Sequence, residues 1–410
     1  MYLCIDMKCF FASVECVERG LNPMTTPLVV ADESRGRGAL CLAVSPYLKQ
    51  QGVNNRGRLY KIPNHLSYII AKPRMKKYMD YAILIHRIFL RYVAAEDIHT
   101  YSIDEAFLNI EPYLHLYNSA SAIAYRIMDD IHRELGIIAT CGAGDNLYLA
   151  KLSLDLLAKK KPPYYHYLSL NDFYKTLWYH KNLKDIWQIG YGLSKRLHKL
   201  GAYTLHDIAM MEVSILQKEF GVIGVDLYEH AWGIDTTSIA DIKAYEPISK
   251  SFSRNQILFR DYTKEEAWTP LIEMLFLACM DLVSKNMMVR HISFCIGYSR
   301  HSVDSYHKTF TLAFYTDDYF EIKKELQKEY KKVQIGPIRR IGISLSGIIE
   351  KDKGYNTLFY EQNEKYERLT ESIQNVWEKY GKNYLVIGTA VRKESTLYQR
   401  NHQIGGHNSE

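Results

Sequence analysis

Three carboxylates stand where a plain surface role explains them poorly: Asp6 in an alternating stretch at residues 1–8, and the adjacent Asp104 and Glu105 inside residues 98–110, IHTYSIDEAFLNI. Residues 1–8 read as a half-buried strand, with Tyr2, Cys4 and Asp6 on one side and Leu3, Ile5 and Met7 on the other. Residues 98–110 read as two strand-like runs meeting near Asp104-Glu105. An ionised carboxylate inside a strand is costly unless cations or donors compensate it. Three acids on one sheet face would repel one another and call for metal. Hard oxygen ligands favour Mg²⁺ or Mn²⁺, and two such ions roughly 3.5–4 Å apart can activate a 3′-hydroxyl and stabilise a leaving pyrophosphate. The plain alternative, an acid at a turn or sheet edge, stays open for each residue taken alone.

Spacing indicates the scaffold around these acids. Residues 9–19 have helical periodicity, with Phe10, Val14 and Val17 as the buried stripe and Phe11 rotated onto a polar stripe that continues through Glu15 and Glu18. Residues 20–75 alternate short apolar runs with Gly and Pro, the mark of a small loop-rich subdomain. Helices are expected over 75–94 and 119–135, and Pro162-Pro163 marks a boundary. Residues 169–235 read as all-helical, with two glycine turns, at Ile189-Gly190 and Gly221–Gly224, each leading into an amphipathic helix. From Glu246 the pattern becomes strand 251–259, helix 264–286, strands 290–299 and 307–316, helix 318–332 and strand 338–348, the β-α-β-β-α-β order of a compact α+β domain. After it come one helix candidate, about 363–380, and a polar tail.

Composition supports several globular cores: 410 residues at about 150 per domain allow two to four domains, and 47% apolar against 24% charged residues excludes a disordered or collagen-like chain. The net charge of +6 is concentrated. Residues 151–200 hold ten lysines and arginines against three aspartates, and residues 321–345 hold seven against three glutamates, so two separate positive surfaces point to a polyanion. Seven cysteines without a CxxC pair argue against disulfides or a zinc site and for a reducing cytoplasm. No apolar run approaches 18 residues, so neither a membrane span nor an export signal is expected.

The strings Asp6-Met-Lys-Cys-Phe-Phe-Ala-Ser-Val-Glu15 and Tyr101-Ser-Ile-Asp-Glu-Ala-Phe107 resemble the two signature motifs of the Y-family, translesion DNA polymerases, the DinB/UmuC group. The likeness continues through Cys141–Lys151 and Lys250-Ser-Phe-Ser, and is closest to the UmuC-like branch of Gram-positive bacteria, their phages and plasmids. It implies an α+β, multidomain right-hand polymerase: palm over 1–19 and 76–165, fingers over 20–75, helical thumb over 166–235, linker over 236–249, α+β little finger over 250–349 and a tail over 350–410. It also implies primer-template DNA and deoxynucleoside triphosphates as substrates.

Carried over by position, the resemblance makes Asp6, Asp104 and Glu105 catalytic. With the Met7 carbonyl they would hold two Mg²⁺ ions, for which Mn²⁺ can substitute. Phe11 falls on the steric gate that excludes a 2′-hydroxyl; its neighbour Phe10 belongs to the same nucleotide-binding segment, and its own stripe assigns it to the core. Lys49 and Lys159 fall on triphosphate-binding positions, while Pro46 departs from a phosphate-binding Tyr and the run Lys159–Lys161 leaves the match uncertain by a residue. Residues 187–197 resemble the thumb's helix-hairpin-helix, whose backbone N–H groups hold DNA phosphates. There Gly190, Lys195 and Arg196 would contact DNA, and Gln188 replaces the usual first glycine. Arg339 and Arg340 of the little finger would face duplex backbone. Tyr355–Phe359 retains Leu358 and Phe359 of a sliding-clamp pentapeptide without its Gln. Two other readings, a DNA-binding accessory without catalysis and a two-metal nuclease, are separated from the polymerase by whether purified protein lengthens a primer.

Overall fold

The computed structural model describes residues 1–247, 249–299, 304–351 and 364–410. The chain forms two units, Met1–Tyr245 and Glu246–Ser409.

The first unit runs β1 (Tyr2–Met7), α1 (Phe10–Val17), β2 (Leu28–Ala31), β3 (Cys41–Val44), α2 (Pro46–Gln50), β4 (Ile69–Ala71), α3 (Met75–Phe89), β5 (Ile98–Thr100), β6 (Glu105–Asn109), α4 (Ala120–Leu135), β7 (Ala139–Gly144), α5 (Leu147–Leu152) and β8 (Tyr165–Leu168). Its main sheet has the order β5-β6-β1-β7-β8, with β1 central and antiparallel to both neighbours. Period-two alternation then divides β1. Leu3, Ile5 and Met7 enter one core with Ile85 and Ile88 of α3 and Ile123 and Ile127 of α4, whereas Cys4 joins Leu154 on the opposite face. That opposite face is the one that carries Asp6.

α5 lies almost in contact with the sheet because β7 has no side chains in its way. A Cβ on Gly142 would stand 2.2 Å from the backbone N of Leu154, and one on Gly144 would stand 2.5 Å from that of Ala150. Glycine is required at both positions by close approach. α5 continues into a π turn over Ser153–Leu157.

Residues 20–75 form a separate three-stranded sheet, β3-β2-β4, with its own core around Val29, Val44 and Leu48. The helical segment comprises α6 (Leu170–Thr176), α7 (Tyr191–Lys199), α8 (Leu205–Ala209), α9 (Val213–Phe220), α10 (Val222–Ala231) and α11 (Ile239–Ala244). Two expected boundaries shift. The main sheet runs past residue 165, where the palm was expected to end, because β8 pairs in parallel with β7 through Leu168. Residues 236–249 are not merely a linker, because α11 buries Ile239 beside Cys4, Phe107 and Leu147.

The second unit contains β9 (Ser251–Tyr262), α12 (Lys264–Ser284), β10 (Met287–Tyr298), β11 (Tyr306–Thr316), α13 (Tyr319–Tyr330), β12 (Ile338–Ser346), α14 (Glu364–Tyr380) and α15 (Leu397–Asn401). Its strand order is β11-β10-β12-β9, and the expected β-α-β-β-α-β succession is present. α12 is long and apolar enough to cross a bilayer by length and composition alone, against the expectation that no run would be, but 78% of that stretch is buried in this unit's core.

The helix expected over about 363–380 is α14, and the residues after it are not a loose polar tail. Tyr366 and Ile373 of α14 enter the core of the second unit, and Arg400 of α15 forms a 3.0 Å ion pair with the fully buried Glu273 of α12. The Arg400–His407 string ends in a short hairpin, Gln403–Ile404 against His407–Asn408, turned by Gly405 and Gly406 at positive φ.

Candidate active site

β1 and β6 pair with Asp6 directly opposite Glu105. The backbone N–H of Met7 donates to the carbonyl of Asp104 at 2.9 Å. Stretches a hundred residues apart are therefore joined at one end of the sheet. Asp104 lies in the β5–β6 turn, one residue before the strand, and not in a strand interior; its Oδ1 accepts from Ser102 Oγ at 2.7 Å. Burial pushes the Asp6 carboxyl up to about 6; Lys159 opposes the shift, and Asp104 and Glu105 add to it.

Cations are interleaved among these acids. Glu105 and Lys151 form a buried pair at 2.6 Å. Lys151 Nζ also lies 3.0 Å from Asp155 Oδ2, the other Asp155 oxygen lies 2.8 Å from Lys159 Nζ, and Lys159 Nζ lies 3.2 Å from Asp6 Oδ2. The result is a continuous ladder: Glu105, Lys151, Asp155, Lys159, Asp6. Burial works against charge on both lysines, but neighbouring anionic groups outweigh it and raise both ammonium groups above the ordinary value. Burial likewise opposes ionisation of Asp155, and the two lysines overcome it and hold its carboxyl below the usual range.

Among the described residues, no three His, Cys, Asp or Glu side chains form a ready-made metal cage. The donor chemistry nevertheless fits divalent ions. Asp6 and Asp104 offer hard oxygens at one edge, and the crowding of acid there is already balanced by a cation, Lys159, that a divalent ion could replace at Asp6.

α1 begins beside the acids. Its N-cap residue, Cys9, has φ 52°, a left-handed conformation that is uncommon outside glycine and clusters at functional sites. This turn separates Lys8 from the two phenylalanines. Phe10 is buried in the main core, so it is not placed to touch a nucleotide; Phe11 is half-buried, its ring 4.6 Å from that of Tyr78. Glu15 departs from the solvated stripe expected of it. It is fully buried, accepting from Arg74 at 3.0 and 2.9 Å, from Tyr78 at 2.7 Å and from Arg19.

Lys49 is exposed on α2; burial raises the Cys9 thiol, and the positive charge of Lys49 opposes that shift. Lys8 donates to the Lys159 carbonyl at 3.3 Å and lies over the Tyr164 ring. Lys8 and Lys49 both bring positive charge towards Cys9.

In the helical segment Gly190 caps α7 with an exposed N-terminus. Gln188 takes φ 69°, the conformation that a glycine would supply there. Lys195 is exposed, whereas Arg196 is committed to α9, pairing with Glu219 at 2.8 Å and stacking on Phe220. In the second unit α12 packs on one face of the sheet, and the other face is open and lined by small polar side chains such as Ser253, Asn255, Ser293 and Thr309. Arg340 lies on that open face beside Asn255 and His307, whereas Arg339 sits at a bulge and lies 3.8 Å from Asp261. Leu358 and Phe359 lie outside the described residues.

Four contributors escaped sequence reasoning: Lys8, Tyr78, Lys151 and Asp155. The i, i+4, i+8 spacing of Lys151, Asp155 and Lys159 was a readable signal of helical ion pairing, but not of which sheet face it would meet.

The chain is similar to known proteins. The impB/mucB/samB family matches residues 5–155, its C-terminal domain matches residues 249–358, and the thumb domain of DNA polymerase-iota matches residues 184–235. The chain is 33% identical over 411 residues to UvrX of Bacillus subtilis (strain 168), a protein named for UV-damage repair, with 99% of this chain and 97% of that one covered. It is 27% identical over 417 residues to DNA polymerase IV 2 of the same strain, covering 98% and 97% respectively. Among solved structures, the Y-family DNA polymerase chimera Dbh-Dpo4(243-245)-Dbh superposes with a TM-score of 0.63, covering 85% of this chain and 99% of that one; at 22% identity this likeness concerns the fold.

Proposed function

The chain belongs to the impB/mucB/samB family of Y-family, UmuC-like DNA polymerases, and on that premise we propose that it performs translesion synthesis on primer-template DNA by two-metal nucleotidyl transfer. The observation that carries the proposal is the apposition of Asp6 with Glu105, and of Met7 with Asp104, at one end of the central strand pair.

Asp6, Asp104 and Glu105, with the Met7 carbonyl, would hold two Mg²⁺ ions, and Mn²⁺ would substitute. Such ions supply Lewis-acid activation of a 3′-hydroxyl and charge neutralisation at a leaving pyrophosphate. The protein's own groups do the rest. Lys159 and Lys49 bring fixed positive charge to the triphosphate, as point charges whose hydrogen bonds can follow a moving phosphate. Phe11 would pack against the sugar and exclude a 2′-hydroxyl. The α7 N-terminus at Gly190 offers unpaired backbone N–H groups to a DNA phosphate, with Lys195 adding charge. The open sheet face of the second unit, with Arg340, suits contacts to backbone without base readout. Seven free cysteines suit a reducing compartment, the cytoplasm.

Extension of a primer past an abasic site and a thymine dimer tests the translesion part. We expect full-length product on both lesions with all four nucleotides and Mg²⁺. Efficient copying of undamaged template with complete arrest before every lesion would remove it.

A further inference from the structure

Asp155 is the carboxylate of the site that the reaction proposed above leaves without a role. It is not one of the expected metal ligands, yet each of its oxygens holds a different lysine: Oδ1 takes Lys159 at 2.8 Å and Oδ2 takes Lys151 at 3.0 Å. Lys151 is fixed in turn by the buried Glu105. Asp155 is thereby a rigid acceptor for the more exposed Lys159 ammonium, whose other partner is Asp6.

The backbone shows the same purpose. Asp155 sits at the middle of the π turn Ser153–Leu157. Such a turn inserts one residue and rotates the residues beyond it by about 100° relative to a plain α-helix. Asp155 lies four residues from each of Lys151 and Lys159, and both ion pairs close across this turn.

We infer that Asp155 is a positioning residue that keeps the Lys159 ammonium at the reacting edge when Asp6 is taken up by cations, so that Lys159 meets the triphosphate of the incoming nucleotide without first being recruited from solvent. Lys159 alternates between two acceptors, Asp6 and phosphate, while Asp155 holds it throughout. A flexible lysine held this way loses its rotamer freedom on folding and not on nucleotide binding. The inference rests on the polymerase reading.

The test measures nucleotide binding without chemistry: dCTP is titrated onto the full-length protein with a dideoxy-terminated primer on a template presenting dG, in Mg²⁺. Asp155→Asn is expected to weaken dCTP binding by about tenfold, the loss of a charge-assisted contact. Lys159→Met is expected to weaken it at least as much, and the double variant no further, because Asp155 acts only through Lys159. Lys175→Met, an exposed lysine on α6 outside the Lys159–Lys161 run, is expected to change binding less than about twofold. Additive losses in the double variant, or wild-type affinity in Asp155→Asn, overturn the inference. Should thermal melting show that Asp155→Asn does not fold, Asp155→Glu enters the same cycle: retained affinity or a loss that vanishes in the Lys159→Met background supports the inference, and an additive loss overturns it. If the wild-type protein binds no dCTP on this substrate, the polymerase reading itself has failed, and the inference falls with it.

Discussion

The packing beneath Phe11 makes stability and sugar selectivity separable at one residue, Tyr78. Its ring is fully buried and packs at a 31° tilt on Phe11, 4.6 Å between centroids, while its hydroxyl donates at 2.7 Å to a Glu15 carboxylate that is itself fully buried. The two substitutions Tyr78→Phe and Tyr78→Leu remove different parts of this arrangement. Phe keeps the ring and deletes only the hydrogen bond to a buried charge, a loss of about 1.5–3 kcal/mol in folding stability. Arg74 and Arg19 still hold Glu15, which favours the lower part of that range. Leu also deletes the ring pair, which is worth roughly 0.5–1.5 kcal/mol beyond simple burial. If that energy is what keeps Phe11 from yielding to a 2′-hydroxyl, Tyr78→Leu relaxes the preference for dCTP over CTP by roughly twofold to tenfold, at about 1.4 kcal/mol per factor of ten. The assay is kcat/KM for dCTP and CTP opposite dG, paired with urea unfolding of each variant. Tyr78→Phe should lose stability and keep wild-type selectivity; Tyr78→Leu should lose both; Phe11→Ala should relax selectivity most. Equal relaxation by Phe and Leu, or none by Leu while Phe11→Ala collapses the preference, would refute the role given to the ring pair.

The same geometry has other consequences. Arg400→Ala strands the buried Glu273 carboxylate and should cost about 3–5 kcal/mol by urea unfolding, whereas Arg368→Ala, which breaks an exposed pair with Glu364, should cost less than about 0.5 kcal/mol. Gln188→Gly should raise thermal stability by the equivalent of about 0.5–1 kcal/mol, because Gln188 already sits at φ 69°; a lowered melting temperature would mean that its side chain contributes more than its backbone costs. Burial disfavours charge on Glu15, but hydrogen bonds from Arg74, Arg19 and Tyr78 outweigh it and depress its pKa below 4.5. Stability from this group is therefore present above pH 4.5 and lost as pH falls through the depressed value, and acid-unfolding profiles of wild type and Glu15→Gln should converge below that value.

Much of this was legible in the sequence for definite reasons. Alternation in residues 1–8 put Asp6 and Cys4 on one face because a strand has period two, and the structure keeps them there. The β-α-β-β-α-β order of the second unit emerged because each of its elements is long and strongly patterned. Glu15 was misread because periodicity reports which face a residue takes, not whether Arg74, 59 residues on, will cover it. The helix expected over about 363–380 is present as α14, but the polar composition of the residues after it hid that Arg400 pairs with Glu273 of α12 inside the core. The register of Lys159 could not be settled from spacing, since a π turn adds a residue without any compositional mark. Gln188 looked like a defect in a glycine turn, yet the backbone adopts the glycine conformation around it.

Acids from the first strand and from the β5–β6 turn are held to act together on a primer end. Primer extension by purified protein on an undamaged template, with Mg²⁺ and all four deoxynucleotides, is decisive when set beside Asp104→Ala, whose side chain accepts a local hydrogen bond from Ser102 and no other among the described residues. The wild type should lengthen the primer in a nucleotide-dependent way, and the variant should lose at least about a thousandfold of that activity with its melting temperature nearly unchanged. DNA binding without lengthening by the wild type, shortening of the primer, or undiminished extension by Asp104→Ala would show that these acids do not serve nucleotidyl transfer.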